Sequence, residues 1–342
     1  MTAAASLFAD RRVLVTGGTG SIGGAIVDAL LAERPQAVRV ISRDDSKQFE
    51  LAQRHRDAEA LRMLIGDVRS RERMDRAMAG IEHVFHAAAM KHVPACEYNP
   101  FEATETNVRG TQNVVEAAID AGVERVLGIS TDKAVDPTNV MGATKLLMER
   151  LLSAAEFYKG PVATRFASVR FGNVIGSRGS LVPLIRGQVA RGGPVTVTDP
   201  EMSRYMMPIG DAVRLCFEAM ARMEGGEVFI LKMPRIRVGD LVEVLVEAYA
   251  TDFGYRADEI PIEIIGARPG EKWHEVLLTD SEALVAEEVD GMYVVRAARE
   301  PRVPGQTVRG GRADEPLLDR AQLRELLDVA GWLRPEQLPT LG

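Results

Sequence analysis

Short apolar runs alternate with helical-period stretches along the first half of this chain. Residues 12–16 read as a short buried strand, a glycine-rich turn spans 17–23, and Ala25, Ile26, Ala29 and Leu30 then recur at helical spacing. Further strands fit 38–42, 62–65, 83–86, 125–130 and 167–170, with helices over 108–121 and 143–157 between them. Alternation of this kind predicts an α/β fold built on a parallel, doubly wound sheet. From about Gly176 the rhythm loosens, with Gly192, Gly193, Pro194 and Pro200 as breakers. The expected organisation is a core over 10–175, a smaller C-terminal lobe over 176–300 interleaved with that core, and an extension over 301–342. The extension is rich in Arg, Gly and Pro as far as Pro316, and a short amphipathic helix fits 320–330. A solvated tail is its expected state. There is no internal repeat.

Composition narrows the class. The chain has 342 residues and a 46% hydrophobic content, which suits one large α/β unit with a smaller companion. A net charge of −7 speaks against a nucleic-acid partner, which would call for a basic face. Two distant cysteines, Cys96 and Cys216, form neither a disulfide framework nor a ligand cluster, in keeping with a reducing cytoplasm. His55, His83 and His274 lack ligand spacing, so no metal is expected. The first residues show no basic segment followed by an apolar core, so no signal peptide is expected. No apolar run approaches the roughly 20 residues of a membrane span, and no membrane partner is expected.

The turn after the first strand carries the first chemistry. Gly17, Thr19, Gly20, Ser21, Ile22 and Gly23 lie where a chain must leave a strand tightly, approach a pyrophosphate and pack a helix close to the sheet. The free N–H groups at that helix start suit an anion. This is a Rossmann-like dinucleotide site; a plain strand–helix turn is the simpler alternative. At the end of the second strand, Ser42, Arg43 and Lys47 favour NADP, because a basic residue accommodates a 2′-phosphate. Asp44 leaves NAD open. Asp67 and Val68 follow the third strand, placed for the adenine edge, and Ala87 and Ala88 offer small residues where the backbone passes the cofactor.

Several strings together resemble one family. They are residues 17–23, Ser42-Arg-Asp44, Ala88-Ala-Met-Lys-His-Val-Pro94, Ser130-Thr-Asp-Lys-Ala134, Met141-Gly-Ala-Thr-Lys145, Arg170-Phe-Gly-Asn-Val174 and Arg268-Pro-Gly-Glu-Lys272. In this order, over roughly 10–295, the chain resembles the UDP-N-acetylglucosamine 4,6-dehydratases of bacterial polysaccharide biosynthesis, extended short-chain dehydrogenases/reductases. It looks like the short form without a membrane-spanning region. The resemblance implies internal hydride transfer from carbon 4 of the sugar to carbon 6, with loss of water and no net use of cofactor. It implies Asp132 as acid at the oxygen on carbon 6, Lys133 as base at carbon 5 and Thr131 at the oxygen on carbon 4. These residues follow an apolar strand at the carboxyl edge of the sheet, where ligands bind in such folds. Without the resemblance, Asp132 and Lys133 read equally well as an exposed ion pair.

Position 141 departs from the superfamily pattern. Lys145 is present as the clamp on the nicotinamide ribose, yet the residue four before it is Met141 rather than tyrosine, and a thioether is no acid–base group. Either the chain is a cofactor-binding protein without turnover, or it resembles the branch that carries Met there and works through Thr131, Asp132 and Lys133. The second reading is preferred because all three remain. That branch retains configuration at carbon 5, while Ser42-Arg-Asp44 and the short length look more like the inverting branch.

On the substrate side, Lys91, His92 and Asn173 could reach the sugar or its phosphates, Arg178, Arg204 and Arg268 suit the uridine diphosphate through the planar guanidinium fork, and Glu271 suits the uridine ribose. The expected partner is a UDP-sugar, with assembly as a homo-oligomer. The competing functions are another sugar-nucleotide epimerase or reductase, and a non-catalytic dinucleotide sensor.

Overall fold

A computed structural model describes residues 6–296, 308 and 310–333. Part of the expected tail, 301–307 and 309, and the last residues, 334–342, lie outside the described residues, as do the first five. The strands in chain order are β1 (Arg12–Thr16), β2 (Ala37–Ser42), β3 (Leu61–Ile65), β4 (His83–His86), β5 (Arg125–Ile129), β6 (Arg165–Arg170), β7 (Asn173–Val174), β8 (Val195–Val197), β9 (Ser203–Met207), β10 (Glu227–Leu231), β11 (Arg235–Arg237), β12 (Ile262–Ile264), β13 (Glu287–Val289) and β14 (Met292–Arg296). Nine of them form one sheet, in the order β13-β14-β10-β6-β5-β4-β1-β2-β3. From β10 to β3 every pairing is parallel, and β14 and β13 close the far edge by antiparallel pairing.

Helices cover both faces, which is why the strands read as continuous apolar runs rather than alternating ones. Val13 and Val15 of β1 pack with Ile26, Val27 and Leu30 of the helix Ser21–Ala32 and with the helix Ile209–Arg222. Leu14 points to the opposite face, among Met74, Met78, Val114 and Leu152. The chain reverses its direction of winding between β1 and β4, so a crevice opens beyond their carboxyl ends, at Thr16 and His86.

The second half contributes both to the sheet and to a lobe. The lobe contains two small sheets, β11-β9-β7 and β12-β8, around its own core of Val182, Ile185, Ile236, Leu241 and Leu245. The helix Arg320–Val329 belongs to that core. Leu323 and Leu327 are fully buried, Trp332 is nearly so, and the Tyr249 hydroxyl donates to the Trp332 carbonyl at 2.6 Å. The solvated tail expected from composition thus gives way, at this helix, to a packed element. Its apolar stripe had a partner that the local sequence could not name.

One buried ion cluster ties the segment leading back from the lobe, through Leu277 and the helix Asp280–Val285, to the core. Arg170, 1% exposed, reaches Glu149 at 2.6 Å and Glu282 at 2.8 Å and donates to the Leu277 carbonyl at 2.8 Å.

Candidate active site

The glycine loop is as tight as the sequence demands. Gly17 has φ of 68°, and a Cβ there would lie 2.7 Å from the Ala88 backbone. A Cβ on Gly23 would lie 2.3 Å from the Gly17 carbonyl. The helix Ser21–Ala32 starts at Gly20 with no side chain capping it, leaving its first N–H groups to the crevice. Gly17, Gly20, Ser21, Ile22, Gly23, Arg43, Lys47, Ala87 and Lys145 all line a cavity of about 1260 Å³. That exceeds the roughly 300–1,000 Å³ of a drug-sized ligand site, as two nucleotide ligands require.

Other residues expected at the cofactor stand behind this lining. The Ser42 hydroxyl accepts from Gln48 at 3.1 Å. Val68 is buried against Gly110. Asp67 accepts from Arg69 at 2.7–2.8 Å and lies 3.6 Å from Arg43. Burial pushes its carboxyl up, but the Arg69 bonds outweigh this and hold it below the usual range. Ala88 packs under Gly17 and its N–H donates to Thr16 Oγ1 at 3.3 Å. Asp44 caps the helix Asp45–Arg54, accepting from the Lys47 N–H at 3.0 Å and pairing with the Lys47 amine at 2.6 Å.

Beyond β5 the chain turns through Thr131, Asp132 and Lys133. Thr131 Oγ1 donates to Asp132 Oδ1 at 2.9 Å, and the Lys133 amine donates to the same oxygen at 2.9 Å and to Asn173 Oδ1 at 3.2 Å. Asp132 is fully buried behind Lys133, and its Oδ2 has no hydrogen-bond partner. Burial pulls the Lys133 amine down, but the Asp132 and Glu275 carboxylates more than offset this and leave it above its ordinary value. The helix Val140–Tyr158 is pressed onto this turn, since a Cβ on Gly142 would lie 2.2 Å from the Lys133 carbonyl. Met141 packs with Cys96, Ala103 and Met90 at the cavity wall. Lys145 donates to the Ile129 carbonyl at 2.6 Å, and burial lowers its amine to about 8.

Lys91, His92, Asn173, Arg178, Arg204, Arg268 and Glu271 all line the same cavity. Their bonds sort them. Arg204 is buried and reaches Glu271 at 3.0 Å, and the other Glu271 oxygen accepts from the Arg268 N–H at 3.3 Å. Arg178, expected on the uridine diphosphate, is bound to the glycine turn. Its guanidinium donates to the Thr19 carbonyl, and its N–H donates to Ser21 Oγ at 2.9 Å. The loop carrying it, after β7, folds across the glycine turn, and Lys91 holds it by donating to the Arg178 carbonyl at 2.7 Å.

Three buried polar residues beside these loops were not read from the sequence. Asn107 sits in a π-helical turn over Glu105–Arg109 and bonds both the N–H and the carbonyl of Met90, fixing the loop that carries Lys91. His86 is a satisfied core histidine between Thr16 and Thr111 at 2.8 and 3.0 Å, and burial lowers it to about 3. Glu275, 3% exposed, lies at the floor of the cavity with its Oε1 3.5 Å from the Lys133 amine. No local spacing signals any of them.

Residues 13–297 match the model of a family described as polysaccharide biosynthesis protein. The chain is 47% identical to an uncharacterized membrane protein of Methanocaldococcus jannaschii, over 96% of this chain and 98% of that one. It is 40% identical to the inverting UDP-N-acetylglucosamine 4,6-dehydratase of Campylobacter jejuni, over 84% of each chain. It is also 40% identical to the UDP-glucose 4-epimerase of Rickettsia typhi, over 84% and 83%. The X-ray structure of Pen from Bacillus thuringiensis is similar with a TM-score of 0.89 at 46% identity, covering 94% of this chain and 98% of that one. A dTDP-glucose 4,6-dehydratase from Streptomyces venezuelae, with NAD and TYD bound, matches with a TM-score of 0.70 at 25% identity, over 78% and 88%. Among the described residues no helix is long and apolar enough to cross a membrane.

Proposed function

Because this chain belongs to the polysaccharide biosynthesis family, within the extended short-chain dehydrogenases/reductases, we propose that it is an NADP-dependent UDP-N-acetylglucosamine 4,6-dehydratase. The observation that carries this is one cavity lined by the glycine cradle, the Lys145 amine and the turn at Thr131 and Lys133, with Met141 in place of a phenol. The turn suits a dinucleotide, since the backbone at Gly17 and Gly23 is packed so closely that a Cβ on either would strike the Ala88 or Gly17 backbone, as a tight strand–helix turn at a pyrophosphate requires. When bound, a nicotinamide supplies a reversible hydride acceptor. Lys145 holds its ribose, and Arg178 closes over its pyrophosphate from the lobe.

Arg43 and Lys47 support NADP, since a basic residue there accommodates a 2′-phosphate, while Asp44, whose oxygens each take one contact from Lys47 and can accept more, leaves NAD open. Arg43 is left at the cavity mouth with only a 3.6 Å contact to Asp67. On the sugar, Lys133 is the base at carbon 5, Asp132 the acid toward the oxygen on carbon 6, and Thr131 the partner of the oxygen on carbon 4. Arg268, Arg204, Asn173 and Lys91 hold the uridine diphosphate. Met141 favours retention at carbon 5, whereas the Campylobacter relative is named as inverting. A cytoplasmic homo-oligomer completes the reading.

The relatives named UDP-glucose 4-epimerase support a second reading on the same scaffold. Mass spectrometry after incubation with UDP-N-acetylglucosamine separates the two. A dehydratase yields a product lighter by one water with no release of reduced cofactor. An epimerase leaves the mass unchanged, and a sensor binds cofactor without turnover.

A further inference from the structure

Glu275 sits where the lobe returns to the core. The segment Trp273–Glu275 runs beside β9, with the Ser203 N–H donating to the Trp273 carbonyl at 3.0 Å and a bridge from Ser203 to His274. This delivers a carboxylate, 3% exposed, to the cavity floor beside the catalytic turn. Its Oε1 is 3.5 Å from the Lys133 amine and its Oε2 is 3.8 Å from the Lys272 amine. Oε2 has no hydrogen-bond partner, because Lys272 donates to the Val135 carbonyl instead. The other charges facing it are Asp132, behind Lys133, and the buried Arg204 of β9. An unbonded buried carboxylate oxygen is costly unless it serves something.

The proton inventory shows what it could serve. Dehydration takes two protons from the sugar, one from the oxygen on carbon 4 and one from carbon 5. It returns two, one to the departing oxygen of carbon 6 and one to carbon 5. Met141 can hold none of them. Lys133 rests as an ammonium, so it must lose a proton before it can act as a base. Burial, only partly countered by Lys133, raises the proton affinity of Glu275.

We propose that Glu275 is a positioning residue that acts through Lys133, its carboxylate 3.5 Å from the amine setting the pH range over which Lys133 exchanges protons with the sugar. Asp132 takes the direct hydrogen bond from that amine at 2.9 Å, and Glu275 adds a second buried negative charge beside it, which favours the ammonium.

This inference rests on Lys133 being the base of the proposed dehydratase, so the deciding readout does not need turnover. Carbon-13 NMR of labelled lysine in the cofactor-loaded protein follows Lys133 as pH is raised, with Lys133→Ala identifying its signal. Glu275→Gln keeps the shape and removes the charge. The expected result is that the Lys133 titration midpoint falls by about one pH unit or more in this variant, while Glu275→Asp keeps it near the wild-type value. In turnover, Glu275→Gln should lower kcat on the order of tenfold with KM little changed, with Glu275→Asp restoring part of it. An unchanged Lys133 midpoint in a folded Glu275→Gln protein overturns the proposal, whatever happens to kcat. A protein inert on UDP-N-acetylglucosamine would instead sink the dehydratase reading and leave the titration result standing.

Discussion

Position 141 puts a thioether, four residues before Lys145, on the wall of the cavity. Met141 is 3% exposed and packed against Cys96 and Ala103, so its sulfur contributes volume to the cavity wall and no proton. Met141→Ala should therefore cost only about tenfold in kcat, as a packing change, and Met141→Tyr should bring no gain, because a hydroxyl beside Lys145 would disturb its bond to the Ile129 carbonyl. Restoration of activity to an otherwise inert protein by Met141→Tyr would show a disabled tyrosine-dependent enzyme. Asp132→Asn and Lys133→Ala should each lower kcat on the order of a hundredfold or more with the cofactor content preserved, and near-normal turnover in either would remove them from the mechanism. Arg43→Ala should weaken NADP roughly tenfold or more, by loss of a charge-assisted bond, while NAD is little affected. Equal losses for both would count against the 2′-phosphate assignment. That Arg43, Thr131, Lys133, Met141 and Lys145 line one cavity was legible because motif and strand position coincide. Glu275, Asn107 and His86 were not, since each owes its character to partners brought from distant segments, such as Met90 for Asn107 and Thr16 for His86.

Among the elements, the parallel strands were legible because burial on both faces leaves an apolar signature; β1 and β4 fall where the pattern put them, and β5 and β6 differ by one or two residues at an end. The helix expected over 108–121 begins at Gly110, after the π turn at Glu105–Arg109 that aims Asn107 inward, a distortion with no periodic signal. Gly142 also has a cause visible only in three dimensions, the Lys133 carbonyl against which the helix Val140–Tyr158 is pressed. The same helix is anchored from its buried side by Arg170, through Glu149, and by the same guanidinium to Glu282. Both carboxylates are nearly inaccessible, so Arg170→Met would strand two buried acids and should cost about 3–5 kcal/mol of stability. Chemical denaturation of the cofactor-free protein measures this. A loss below about 1 kcal/mol, the value of an exposed pair, would show that the cluster is not holding the elements together.

At the scale of the whole molecule, the lobe brings charged side chains to the cavity. Its loop after β7 lays Arg178 on the glycine turn, and a Cβ on Gly176 at the base of that loop would lie 2.2 Å from the Trp332 ring. The segment around the C-terminal helix therefore buttresses the loop over the glycine turn, while the return segment brings Glu275, and β9 brings Arg204, to the cavity lining. This long-range arrangement puts the glycine turn, Lys145, the turn at Thr131 and Lys133, and the arginines of the lobe on one cavity, the enclosure that the proposed dehydratase needs, and no local stretch of sequence signals that assembly. The most direct test of that assembly is proton NMR of UDP-N-acetylglucosamine incubated with the purified, cofactor-loaded protein in heavy water. The result expected is a 4-keto-6-deoxy sugar, with the carbon 6 hydroxyl replaced by hydrogen so that carbon 6 becomes a methyl group, deuterium at carbon 5 and its configuration retained, without added cofactor being consumed. An unchanged substrate spectrum, or a product altered only at carbon 4, would contradict it.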